Sequence, residues 1–327
     1  MKNRVGLGTF PLAGVFSKID KEKAKEIVKL FLDNGGYYID TAPLYGFGEV
    51  ENILGDVLKD YPRESYYLIT KCGYIDVEGK TFATVQKSGK YSDVIRECNI
   101  SLKRLGLDFI DLYFIHSPDP DTPFEETMKA LNDLQIKGKI KQIGVSNVNL
   151  EELKEYSKYG TIEFVQNRFS LINRSINVEF QQYLIDNSIG LIPYQVIDRG
   201  QLTESIISGI KFRVGDLRIG RMEWSEEKKN LIAKWSKENL LPIAKKLGIT
   251  LSQLSIAWAL HQKYLSFVIV GVTNPVCIPI NLKATNIRFD ESILKEINNA
   301  YQKLEEEVRV KYGQTVREFR GLNEKFY

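Results

Sequence analysis

Four residues of this sequence are of the types needed to move a proton at a carbonyl: Asp40, Tyr45, Lys71 and His116. A tyrosine hydroxyl, with an ordinary pKa near 10, is a weak acid at neutral pH. A lysine ammonium beside it favours the phenolate and lowers that value. A carboxylate would keep the lysine charged and in place, and a histidine could donate a second hydrogen bond to the same substrate oxygen. Together they equip a site to protonate the oxyanion formed when a carbonyl accepts a hydride, help worth about 10²–10⁴-fold in rate. Taken singly, Asp40 reads as a helix cap, Lys71 as a surface lysine and His116 as a core histidine. Their register along the chain is what sets them apart.

That register comes from strand-like runs, most of which end in or run into a polar residue. The runs are Val5–Phe10, Tyr37–Asp40, Tyr66–Lys71, Phe109–Ile115, Lys141–Val145, Phe164–Asn167, Gly190–Tyr194 and Phe267–Val270. They are short, rich in β-branched and aromatic residues, and bounded by turn signals, as buried parallel strands are. Helix-like runs lie between them. Ala24, Ile27, Val28 and Phe31 make one apolar face, which Gly35 and Gly36 end. Further helices are expected over Glu49–Leu58, Ser92–Leu105, Phe124–Lys137, Leu150–Lys158, Asn177–Asp186, Trp235–Leu247, Ser252–Gln262 and Asp290–Leu304.

Eight strands alternating with helices predict an α/β chain with a parallel sheet closed into a (β/α)8 TIM barrel. An open doubly wound sheet fits less well, because Gly6-Leu7-Gly8 lacks the third glycine of a dinucleotide-binding loop. In such a barrel the chemistry sits at the C-terminal strand ends. There the spacing also places Ser146, Asn147, Gln166, Asn167 and Tyr194. No linker or composition shift divides residues 1–327, so one domain is expected. Thr203–Ser225 reads as an insertion over the mouth. The tail, about 305–327, is aromatic and charged, which suits a cap on the mouth or the barrel bottom, or a contact surface.

Composition excludes several other classes. The chain has 327 residues, 43% hydrophobic and 27% charged, with net charge +3, so it is neither disordered nor basic enough to be built for nucleic acid or an anionic membrane. Cys72, Cys98 and Cys277 are too few and too widely spaced for a disulfide framework or a metal site, which suits a cytoplasmic protein. The stretch after Lys2 and Arg4 is broken by Gly6, Gly8, Pro11 and Gly14 and reads as a first strand and loop rather than a leader. No apolar run approaches a membrane span. His261 lies in a helix with no partner motif and reads as structural or solvated, and Cys72 as facing the barrel wall.

The run Asp40-Thr41-Ala42-Pro43-Leu44-Tyr45-Gly46, followed by Gly48, Glu51 and Gly55, resembles the first signature of the aldo-keto reductases. Lys71 after an apolar strand is similar to the family lysine. The segment from Ser101 to His116 and the blocks Gly138–Ile140 and Ile143–Asn147 resemble further family motifs, in order, and the likeness runs from about Val5 to Ala284. The resemblance implies Tyr45 as general acid in reduction or base in oxidation. It implies Lys71 and Asp40 as its tuning groups and His116 as the residue that orients the carbonyl. It also implies Ser146, Asn147 and Gln166 on the nicotinamide carboxamide and Tyr194 stacked on the ring. The stretch Gln195 to Leu202, including Ile197, Arg199 and Gly200, would wrap the pyrophosphate. Gly271 and Asn281 belong to the block at the adenine end.

Two departures stand out. Tyr194-Gln195-Val196-Ile197 replaces the usual Tyr-Ser-Pro-Leu before Arg199-Gly200. Between Val270 and Asn281 there is no Lys or Arg to grip a 2′-phosphate, and such a dianion loses its charge-assisted contacts without one. The cofactor implied is therefore NADP or NAD without the usual basic clamp, with Lys283 or backbone amides as partial substitutes. The expected function is an oxidoreductase passing a hydride between nicotinamide and a small aldehyde, ketone or sugar. A weaker hint points to sugar oxidation. The alternatives are a cofactor-sensing regulatory subunit like the potassium channel β-subunits, and a pathway enzyme acting on a nucleotide-linked sugar. The expected partner is a small molecule, with no nucleic acid, membrane or metal, and the expected assembly is a monomer or weak homo-oligomer.

Overall fold

A parallel pair needs a crossover of a dozen residues or more, and this chain puts a helix into nearly every gap between its main strands. The computed structural model describes residues 2–76 and 84–321. Its first half runs β1 (Val5–Gly8), α1 (Lys21–Asp33), β2 (Tyr38–Asp40), α2 (Glu49–Leu58), β3 (Tyr67–Cys72), a hairpin of β4 (Tyr74–Asp76) and β5 (Val85–Lys87), α3 (Tyr91–Leu105), β6 (Ile110–Ile115), α4 (Phe124–Ile136) and β7 (Ile140–Ser146). The second half runs α5 (Leu150–Ser157), β8 (Phe164–Gln166), α6 (Val178–Asp186), β9 (Gly190–Leu191), α7 (Glu204–Ile207), α8 (Glu226–Trp235), α9 (Leu241–Leu247), α10 (Leu251–Leu260), β10 (Val268–Gly271), α11 (Cys277–Lys283), α12 (Glu291–Tyr312) and α13 (Val316–Phe319).

The eight-stranded sheet has the order β10-β1-β2-β3-β6-β7-β8-β9. It closes on itself, because Leu191 N donates to Tyr264 O at 3.0 Å and Ile269 N to Pro193 O at 3.0 Å. The (β/α)8 barrel is thus as the alternation predicted. Side chains alternate in and out along each strand. Ile39, Leu68, Tyr113, Ile115, Val145, Val165, Leu191 and Val268 point outward into the large apolar cluster under the helices. Ile69, Leu112, Phe114, Ile192, Phe267 and Ile269, with Tyr38 and Phe164 against them, form a second cluster that plugs the interior. Tyr38 and Phe267 stack there with ring centroids 3.8 Å apart.

This alternation fixes the site. Two residues beyond Tyr38, Ile69, Phe114, Gly144, Phe164, Ile192 and Ile269 come Asp40, Lys71, His116, Ser146, Gln166, Tyr194 and Gly271. A step of two keeps the same face, so these residues form the next layer up, above the apolar plug.

Four elements differ from the sequence expectation. The strand expected over Gly190–Tyr194 stops at Leu191, because Pro193 has no N–H to continue the ladder, and Tyr194 pairs again only as a bridge to Arg168. The helix expected to begin at Trp235 begins at Glu226 and passes through a π-helical turn, Ser236–Leu240, into α9. The last long helix runs beyond Leu304 to Tyr312, since Val308 continues its buried face. The β4–β5 hairpin was not foreseen. Segment 203–225 reaches back to the first loop, where Leu217 N donates to Val15 O at 2.9 Å. Among the described residues no helix is long and apolar enough to cross a membrane.

A methyl group on Gly144 would lie 2.2 Å from Phe114 Cε1 in the interior plug. Gly144→Ala is therefore expected to cost about 1–3 kcal/mol through overpacking, read as a lowered urea midpoint. An unchanged midpoint would contradict this packing.

Candidate active site

Lys71 is fully buried, and an ammonium taken out of water needs compensation from charge and hydrogen bonds. It has both. Its Nζ lies 2.8 and 2.9 Å from the two carboxylate oxygens of Asp40 and 2.8 Å from the Thr41 carbonyl. Burial lowers the lysine pKa, and Asp40 opposes that shift. Gln166 Nε2 holds the other side of the carboxylate, at 2.7 Å from Oδ2. The remaining direction from Nζ leads to the Tyr45 hydroxyl at 3.4 Å.

Tyr45 is brought there by the turn after it. Gly46, Phe47 and Gly48 all have positive φ, and two glycines make that affordable. At Gly48 the reason is also steric, since a Cβ would lie 2.3 Å from Arg104 Cζ. That guanidinium passes over the turn to reach Glu51 at 3.1 Å, and Glu51 accepts a bond from Thr70 at 2.8 Å. Thr70 sits on β3 beside Lys71. The signature residues Gly48, Glu51 and Arg104 thus brace the tyrosine turn against the strand that carries the lysine. Ring contact with Phe10, at 5.1 Å, closes the other side of Tyr45.

His116 follows β6 and stands edge-on to Tyr45, with ring centroids 6.0 Å apart. Burial, with a smaller contribution from Lys71, pushes its pKa well below the ordinary value of 6.5. The imidazole is therefore neutral and can donate from one nitrogen. Tyr74, from the unforeseen hairpin, packs on its other side at 5.0 Å. The only hint of that wall in the sequence was Gly73, whose φ of +100° turns the chain out of β3.

The expected cofactor residues fall around the same mouth. Asn147 has φ 58°, donates to the His116 carbonyl at 2.7 Å and accepts from Tyr194 Oη at 2.6 Å. Ser146 donates to the Gln166 carbonyl at 2.7 Å. Gln166, expected on a carboxamide, is engaged with Asp40, and Asn147 with its protein neighbours. Gln195, Ile197 and Gly200 lie half-buried in the loop after β9, where Gln195, Asp198 and Arg199 are left-handed. Each such non-glycine residue costs about 1–3 kcal/mol and persists only where its surroundings hold it. Arg199 pairs with Glu223 at 2.6 Å, and Leu202 is buried in the apolar core. Gly271 ends β10, and Asn281 is buried on α11, accepting from Ser252 Oγ at 3.3 Å. Gln195 Oε1 is buried with no hydrogen-bond partner. A buried orphan acceptor in a strained loop beside the mouth fits a ligand that brings its own donor, as a dinucleotide does.

A profile of the Aldo/keto reductase family matches residues 4–302. The chain belongs to that family. It is accordingly an oxidoreductase of the aldo-keto type. It is 31% identical over 316 residues to the NADH-specific methylglyoxal reductase of Escherichia coli (strain K12), covering 92% of this chain and 96% of that protein. It is 30% identical over 300 residues to an aldo-keto reductase of Bacillus subtilis (strain 168), covering 90% and 89%. Among solved structures, the glycerol dehydrogenase of Gluconobacter oxydans superposes with TM-score 0.84 at 25% identity, covering 92% of this chain and 91% of that one. The barrel expected from the alternation is the fold shared with that solved structure.

Two outcomes test this geometry. Asp40→Asn leaves the buried Lys71 without its counter-charge and is expected to cost about 3–5 kcal/mol, measured by urea unfolding. His116 is neutral when folded, whereas the unfolded chain takes up that proton as pH falls through 6.5. Stability therefore declines as pH drops below that value, and His116→Gln should flatten that part of the curve in thermal melts from pH 7 to 5.

Proposed function

We propose that this reductase passes a hydride between a nicotinamide dinucleotide and the carbonyl carbon of a small aldehyde, ketone or sugar, with Tyr45 as the proton donor. The observation that carries the reading is the line Asp40–Lys71–Tyr45, a buried carboxylate and ammonium ending on a tyrosine hydroxyl at the mouth. A nicotinamide dinucleotide, when bound, supplies the hydride.

In reduction the carbonyl oxygen gains negative charge as its carbon gains hydrogen. Tyr45 Oη gives that oxygen its proton, and Lys71 Nζ stabilises the phenolate left behind. Neutral His116 donates a hydrogen bond to the same oxygen and fixes which carbonyl face is presented. In the reverse direction the Tyr45 phenolate takes the alcohol proton. Phe10 against Tyr45 and Tyr74 against His116, with Phe16 packed behind Phe10, offer aromatic surface there, which suits a small substrate. The named substrates of the E. coli and G. oxydans relatives, methylglyoxal and glycerol, are both three-carbon molecules.

The adenine end supports NADH over NADPH. The stretch Val270–Asn281 has no cation, and Val276 stands exposed there. Burial and the negative charge of Glu204 both push up the Cys277 thiol, so the nearby charge felt at this block is a carboxylate's and not a cation's. Glu204 is itself held by the Leu251 N–H at 2.7 Å. Beside a bound ribose such a carboxylate would accept from a hydroxyl and repel a 2′-phosphate.

Tyr45→Phe should lower turnover by about 10²–10⁴-fold while nucleotide affinity, read by tryptophan fluorescence, stays within a factor of two to three. Retention of full turnover would remove Tyr45 from the mechanism. In the same titration NADH is expected to bind more tightly than NADPH, and the opposite order would overturn the NADH preference.

A further inference from the structure

The loop 195–202 carries three left-handed non-glycine residues, and something must hold it. The structure shows what does. Asp198 is buried and receives Arg168 Nη2 at 2.9 Å, Ser170 Oγ at 3.3 Å and Arg320 Nη1 at 2.6 Å. The arginines hold its carboxyl well below the ordinary carboxylate range despite the burial. Arg320 Nη2 also donates to Gln201 Oε1 at 2.8 Å, and Gln201 Nε2 donates to the Glu223 carbonyl at 2.7 Å. Glu223 in turn pairs with Arg199.

Arg320 comes from the far end of the chain, beyond residue 302, where the family match stops. Its side chain is fully buried. The segment that delivers it is docked by Val316 and Phe319, both buried, and by Phe319 stacked on Tyr312 at 4.3 Å. Thr315 and Glu318 cap α13 reciprocally and fix its start. At Gly321, φ +68°, a Cβ would lie 2.3 Å from Met222 Sδ, so the tail closes directly on the insertion.

We infer that Arg320 is a positioning residue for nucleotide binding, through which the C-terminal segment fixes the loop 195–202 in its binding shape. Arg320 touches neither the Asp40–Lys71–Tyr45 line nor His116. It acts through Asp198 and Gln201, whose neighbours Gln195, Ile197, Arg199 and Gly200 are the residues that the loop reading assigns to the nucleotide. A planar fork suits the task, because one guanidinium meets a carboxylate and an amide at once and cannot lose its charge. The inference rests on the reading that this loop holds the dinucleotide.

The test compares the full-length protein with Arg320→Met, which keeps the stem without the charge, and Arg320→Lys, which keeps the charge without the fork. Leu304→Ala serves as a stability control, being a buried residue of α12 with no polar group. The readouts are NADH affinity by fluorescence, KM for NADH, kcat at saturating NADH, and Tm. Arg320→Met is expected to raise both Kd and KM for NADH at least tenfold with kcat within about twofold of the parent. Arg320→Lys should recover part of that loss, and Leu304→Ala should lower Tm without moving Kd. Unchanged NADH affinity in Arg320→Met overturns the inference, as does an equal loss in Leu304→Ala. If the unsubstituted protein binds neither NADH nor NADPH, the underlying loop assignment fails first, and that result is read from the parent alone.

Discussion

The buried pairing of Lys71 with Asp40 is the constraint on which the site depends. An ammonium in a barrel interior is tolerated only while a carboxylate and a carbonyl stay within hydrogen-bond distance of it. That requirement ties β2 to β3 in one register, in which Asp40 lies opposite Ile69 and two residues short of Lys71. It also recruits Gln166 from across the barrel. Satisfying the lysine in this way leaves one approach to its nitrogen, and Tyr45 occupies it.

The rest of the molecule holds that arrangement still. Below it, the aromatic and aliphatic plug from Tyr38 to Phe267 fills the barrel and excludes water. Beside it, Glu51 and Arg104 fasten the tyrosine turn to β3 and α3. Above it, the loop after β9 keeps an unfavourable backbone shape because charged groups from three separate segments meet at Asp198. Two buried ion networks thus hold the mouth, one under Tyr45 and one under the loop 195–202.

Much of this was legible in the sequence. The alternation of short apolar runs with amphipathic ones gave the barrel, and the two-residue period along each strand already contained the layer Asp40, Lys71, His116, Ser146, Gln166 and Tyr194. The misplacements have local causes. A strand that contains Pro193 cannot be counted to its end by hydrophobicity. A helix that begins in the charged run Glu226–Lys229 and contains a π turn presents no single apolar face to mark its start. The β4–β5 hairpin is too short to have a periodicity of its own.

What the sequence determined by itself was the set of chemical groups and their order, because side-chain type and strand period are local properties. What only the tertiary structure decided was how those groups are paired. Gln166 and Asn147 turn toward Asp40, His116 and Tyr194, an arrangement that depends on strands distant in sequence lying side by side. The placement of Arg320 is the clearest case. Nothing near it in the chain calls for a buried arginine, and its partners Asp198 and Gln201 lie about 120 residues away. Long-range electrostatic pairing leaves no pattern in a linear sequence, since the energy is set by distances that exist only after folding.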